Sequence, residues 1–148
     1  ETICAGACDR SVSERDDVRL LVNHDGIALA RTRSKTLTLE SDSTGLRVSA
    51  RLDAQSPSVQ SLVSAMERGD MDEMSFAFRA VKQEWNADYT ERSISEVKLY
   101  DVSVVTYPAN PATVTMIRLD DPAPTEAAGY PLSLALAEIE QIRRRRSA

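Results

Sequence analysis

The chain has 148 residues, 42% of them hydrophobic and 28% charged, and a formal net charge of −5. That length and balance describe about one domain with a sizeable core and exclude a disordered chain, a collagen-like repeat and a disulfide-stapled miniprotein. The acidic balance argues against a nucleic-acid-binding surface, no run approaches the ~18 apolar residues of a membrane span, and no apolar signal-peptide core stands at the start.

Two scarce residue types narrow the chemistry further. His24 is the one histidine, so any mechanism needing two imidazoles from one chain is excluded. Cys4 and Cys8 are the only cysteines. Two thiols and a distant imidazole fall short of the roughly four ligands of a zinc site. They read as small buried or half-buried thiols, with a local disulfide as the alternative. No metal and no cofactor is expected. Four of the eighteen basic residues are Arg143 to Arg146, so an acidic body carries a basic tip. The first residue is Glu rather than Met, as in a processed or trimmed chain.

In chain order, residues 18–22 (VRLLV) read as a short buried strand that leads into Asn23-His24-Asp25-Gly26, a turn by composition. Residues 35–40 alternate, as do residues 45–52, with Leu46, Val48, Ala50 and Leu52 on one face. Period-two alternation marks half-buried strands, and Asp42 to Gly45 between them read as a hairpin turn. A helix is expected over 57–68. Ser56 stands as its N-cap, Pro57 at its first position, and Val59, Leu62, Val63 and Met66 form one stripe before Gly69 ends it.

A strand follows at about 73–83, with Met74, Phe76, Phe78 and Ala80 on one face and Ser75, Ala77 and Arg79 on the other. Residues 86–88 suggest a turn. Residues 92–107, rich in Val, Ile, Tyr and Thr, form a strand pair or one bent strand, stopped by Pro108 and Pro111. A last strand is expected at 113–118, a linker at 119–130 and an amphipathic basic helix at 131–148, with Leu132, Leu136, Ile139 and Ile142 as its stripe. The body is therefore mainly β with helices, a barrel or sandwich by pattern.

Ser75 is a small polar residue in the apolar run Met74-Ser75-Phe76-Ala77-Phe78. A nucleophilic serine needs a base, and the base needs an orienting group. With one histidine, the base can only be His24. Asp25 is its neighbour and points elsewhere on an extended chain. Glu96 and Asp101 are better placed, in strands beyond Ser75. Residue chemistry alone reaches a Ser/His/acid hydrolase as one option.

Four blocks carry a resemblance. They are DRSVSERDDVRLLVNHDGIALARTRSKTLTL, GLRVSARLD, MERGDMDEMSFAFR and ISEVKLYDVSVVTYPANPAT. In this order they closely resemble the caudovirus prohead maturation proteases, distant relatives of herpesvirus assemblins, over residues 1–118. The resemblance implies an assemblin-like closed or partly closed β-barrel in a prohead serine protease domain over 1–118. The family's usual opening strand, with its G-Y-A-like element, is not found, and Cys8 stands where an aromatic is common.

It also implies a serine endopeptidase that acts inside the immature capsid, in the bacterial host cytoplasm. Its substrate would be the scaffold or major capsid protein precursor, and the protease itself in many cases. A homo-oligomer is expected by analogy, with neither nucleic acid nor membrane as partner.

Residue by residue, His24 in N-H-D matches the family's catalytic histidine and Ser75 in M-S-F its nucleophile. For the third member the resemblance points to Glu96, at the head of E-V-K-L-Y, where assemblins carry a second histidine. Asp101 is the alternative. A simple hairpin centred near residues 87 and 88 pairs 75 with 100 and 79 with 96. Glu96 then shares the Ser75 face and Asp101 points away. The same register leaves Glu96 four residues along the strand, ~13 Å, a distance that only a bulge or a different pairing would remove. The assemblins' paired-arginine stretch corresponds to Val102 to Tyr107, which has no arginine, so a backbone oxyanion donor is expected.

Two other readings compete. One is an assembly or scaffold component that keeps the protease fold without turnover, its tail docking on capsid precursors. The other, an OB-like nucleic-acid binder, fails on the acidic body and the scarcity of aromatics.

Overall fold

The computed structural model describes residues 1–109 and the backbone of residues 137–138. Strands dominate, with two short helices, in an α+β arrangement. One sheet contains β1 (Thr2–Ile3), β2 (Arg19–Val22), β3 (Asp25–Arg31), β6 (Glu73–Trp85) and β7 (Arg92–Val105). The other contains β4 (Leu37–Ser41), β5 (Leu46–Ala50) and β8 (Ala137–Glu138). The helices are α1 (Asp9–Ser13) and α2 (Pro57–Glu67).

The expected strands at 18–22, 35–40, 45–52 and 73–83 and the helix at 57–68 are all present, with ends moved by a few residues. Among the described residues no closed barrel forms: the strands make two separate sheets. The expected strand at 113–118 and the linker at 119–130 lie outside the described residues. So does the tail helix, except at Ala137–Glu138, where the backbone pairs antiparallel with β5 instead.

β7 organises the larger sheet. β6 runs antiparallel along one edge from Trp85↔Arg92 to Glu73↔Val105. On the other edge two strands lie parallel to it: β1 beside Ser93 and Ile94, and β2 beside Asp101 to Val104. Between them the chain from β1 through α1 supplies acceptors for β7's amides. Val97 N–H donates to Ala7 O at 2.9 Å and Leu99 N–H to Ser11 Oγ at 2.8 Å. Buried backbone donors need such partners, and here a helical segment stands in for a missing stretch of strand.

The core-facing residues of β7 are Ile94, Val97, Leu99, Val102 and Val104, each at most 3% exposed. Their spacing breaks the two-residue period twice, and each break is a β-bulge. Ser95 and Tyr100 have no partner in the β6 ladder, nor has Val81 on the opposite strand. An extra residue in one strand moves every later side chain to the other face. After Tyr100, the face that packs the core carries Val102 and Val104, opposite Phe76 and Met74. The other face carries Asp101 and Ser103, opposite Ala77 and Ser75.

α2 follows its sequence signals. Ser56 sits at the extended N-cap position, Pro57 opens the helix, and Val59, Leu62 and Val63 are buried. Gly69 (φ +74°) closes it, with Gly69 N–H donating to Met66 O and Asp70 N–H to Ala65 O. That is the Schellman pattern, which needs a left-handed residue where glycine costs least. The Gly69 turn leads directly into β6 and so into Ser75.

Candidate active site

β2 and β3 are joined by two residues, Asn23 and His24, flanked by the pair Val22↔Asp25. Both have positive φ, +51° and +59°, as the type I′ hairpin connection demands. Glycine is the residue most at ease there, while asparagine and histidine tolerate it at a cost. The turn is fastened to the end of β7: Asn23 N–H donates to Val104 O and Thr106 N–H donates to Asn23 Oδ1, each at 2.9 Å. His24 is thus held in a strained backbone at the sheet's end, its side chain 36% exposed.

From there the imidazole turns back over the polar face. His24 Nδ1 lies 2.7 Å from Asp101 Oδ1. An ionised carboxylate only accepts hydrogen bonds, so in the neutral ring it is Nδ1 that carries the proton and Nε2 that is an acceptor. The Asp101 side chain is 13% exposed. The same oxygen accepts a second hydrogen bond, from Ser103 Oγ at 2.8 Å. Ser103 is fully buried and is the ladder partner of Ser75.

Ser75 is 8% exposed. Its hydroxyl makes no hydrogen bond among the described residues, where no enclosed side-chain nitrogen or oxygen lacks a partner. The hydroxyl oxygen therefore still reaches accessible surface. Ladder partners project to one face, so Ser75, Ser103 and Asp101 stand together on the face that His24 overhangs.

Glu96 is not part of this group. Its carboxylate meets Lys82 Nζ at 2.5 Å and Arg10 Nη1 at 2.8 Å. These two cations, Lys82 foremost, hold the carboxyl below the usual glutamate range. Its ladder partner is Lys82, seven residues along β6 from Ser75, about 24 Å of strand. The resemblance points to Glu96 as the group that orients His24, and a bulge-free hairpin with partner numbers summing to 175 puts Glu96 on the Ser75 face. At Ser75 they sum to 178, because Ser75 pairs with Ser103. The extra residue at Tyr100 turns Asp101 onto the Ser75 face, two residues along β7 from Ser103, while Glu96 stays far down the ribbon.

The cysteines are free, Cys8 buried and Cys4 partly so, as the small-thiol reading expects. Both border a cleft of about 480 Å³ that also reaches Phe76. Burial, with Asp9 beside it, pushes the Cys8 thiol up to about 11. A buried, protonated thiol is a poor nucleophile, which leaves the serine as the better candidate.

An imidazole hydrogen-bonded to a carboxylate, and a serine on the same sheet face as that carboxylate, are the residue types a serine hydrolase uses. The sequence model of the caudovirus prohead serine protease family matches residues 1–127. The chain belongs to that family. Searches of the curated proteins and of the solved structures return no significant match.

Proposed function

We propose that the protein is a serine endopeptidase of phage capsid maturation, with Ser75 as nucleophile, His24 as general base and Asp101 as the orienting acid. The single observation that carries the triad is the 2.7 Å contact between His24 Nδ1 and Asp101 Oδ1, on the strand that pairs with the one bearing Ser75. In the β6·β7 ladder, Ser75 and Asp101 are diagonal neighbours, about 7–8 Å apart by ordinary sheet geometry. One imidazole, hydrogen-bonded at each nitrogen, fills a gap of that size.

The reaction is acyl transfer to water. His24 Nε2 takes the Ser75 hydroxyl proton as Oγ attacks a peptide carbonyl. The C–N bond breaks, and the amine leaves with that proton. Water, deprotonated in turn by Nε2, then hydrolyses the acyl-enzyme. Asp101 keeps the ring in the working tautomer and stabilises the imidazolium that forms at each step. General-base help of this kind is worth roughly 10²–10⁴-fold in rate. Family membership points to the scaffold or the capsid precursor as substrate and to the immature capsid as the place of action.

Co-expression with the cognate capsid precursor tests the reading. The wild-type chain should cleave it, and Ser75→Ala and His24→Ala should each leave it intact. Cleavage by either variant would overturn the assignment. An intact precursor with the wild-type chain would favour a non-enzymatic assembly component.

A further inference from the structure

Family membership and the proposed triad give no role to Ser103. It is nevertheless fully buried, and it is the one serine that both faces Ser75 across the β6·β7 ladder and donates to Asp101. We propose, resting on the triad above, that Ser103 is a positioning residue. Its hydroxyl fixes the Asp101 carboxylate so that Oδ1 faces His24 throughout the reaction.

Three features carry this. The first is geometric. Asp101 and Ser103 are two residues apart on one strand, so their side chains stand on the same face, and the 2.8 Å hydrogen bond spans that spacing. The second is the choice of oxygen. Ser103 Oγ and His24 Nδ1 converge on Oδ1, so rotation of the carboxyl would break both bonds together.

The third is rigidity. Ser103 lies in the strand flanked by both β2, at Leu21, and β6, at Ser75. Asp101 is likewise paired on both sides, with Arg19 and Ala77. The imidazole, by contrast, hangs from a two-residue turn with its side chain 36% exposed. A rigid donor on the paired strand gives the carboxylate a fixed direction that a surface turn cannot supply. A donor held in place by its own packing is what keeps a reacting group aligned.

The readout is the rate at which a fluorophosphonate probe labels the protein. Ser75 Oγ forms the P–O bond, fluoride leaves, and the hydroxyl proton passes to His24 Nε2. Ser103→Ala should slow labelling about 10-fold or more, as expected for losing a hydrogen bond to a charged group. In an Asp101→Ala background, the same substitution should change the rate less than about twofold. A residue that acts through another loses its effect when that other is removed. A residue that merely packs the sheet would slow both backgrounds alike.

A second measurement does not depend on turnover. His24 is the only imidazole, so its ¹⁵N resonances are unambiguous. In Ser103→Ala the Nδ1–H signal should broaden through faster exchange with water, while the backbone amide spectrum stays native. An unchanged labelling rate with a native spectrum, or equal slowing in both backgrounds, would overturn the positioning role. Absence of labelling in the wild-type chain would instead defeat the triad on which it rests.

Discussion

His24 combines a strained backbone with an exposed imidazole. A histidine at φ +59° in a two-residue hairpin turn costs about 1 kcal/mol relative to a residue at ease there. Asn-Gly is the sequence such turns favour. Stability alone would therefore place glycine at position 24, and the imidazole is explained by what it touches. His24→Gly should fold and melt within about 1 kcal/mol of the wild type, since turn relief offsets the lost Asp101 contact. It should also lose fluorophosphonate labelling completely. Thermal unfolding and labelling of the same sample check both halves. Marked destabilisation would show that the histidine is there for the fold.

At the scale of the element, β7 sets the geometry. Its apolar residues run Ile94, then Val97 and Leu99, then Val102 and Val104. Both slips of phase are visible in the sequence, and each corresponds to a bulge. Leu99 is 1% exposed and precedes the bulge that turns Asp101 and Ser103 to the site. Leu99→Ala should cost about 2–5 kcal/mol of stability through the cavity it leaves, measurable by urea unfolding. A loss below about 1 kcal/mol would show that the strand is less tightly packed than described.

Much of the fold was legible at this level. The α2 stripe with its Pro57 start and Gly69 stop, the Asp42–Gly45 hairpin and the alternating strands all followed from local chemistry. Three features did not. α1 has five residues, too few to show a helical period. β3 begins directly after the turn, and its Ile27-Ala28-Leu29-Ala30 run is apolar on both faces, which hides the alternation. The choice between Glu96 and Asp101 as orienting acid was not legible either, because the resemblance points to Glu96 and the bulge that turns Asp101 toward the Ser75 face shows in the sequence only as the Leu99-to-Val102 slip. His24 and Ser75 were legible as residue types and through family motifs. Their common face depends on ladder register, which residue spacing alone does not supply.

Over the whole molecule, Glu96 works as a clasp. It joins Arg10 of α1, Lys82 of β6 and its own strand β7, tying the N-terminal segment to the long ribbon. Lys82, then Arg10, depress its carboxyl below the usual range. A carboxyl lowered in the folded state stabilises the fold fully above its unfolded value, roughly pH 4.3, and this contribution is lost as pH falls through the lower folded value. Glu96→Gln should therefore melt below the wild type near pH 7. The gap should narrow as pH drops under about 4. A gap independent of pH would place the effect in packing rather than charge.

The clasp and the proposed triad assign different work to the two acids of β7, and one measurement separates them most directly. The rate of fluorophosphonate labelling at Ser75 should be compared in Asp101→Asn and Glu96→Gln. We predict that Asp101→Asn slows labelling by about 10⁴-fold, as for loss of the orienting acid in a serine protease triad, and that Glu96→Gln labels within about twofold of the wild type, as expected for a residue outside the reacting group. Rapid labelling of Asp101→Asn, with Glu96→Gln inert but folded, would contradict the account.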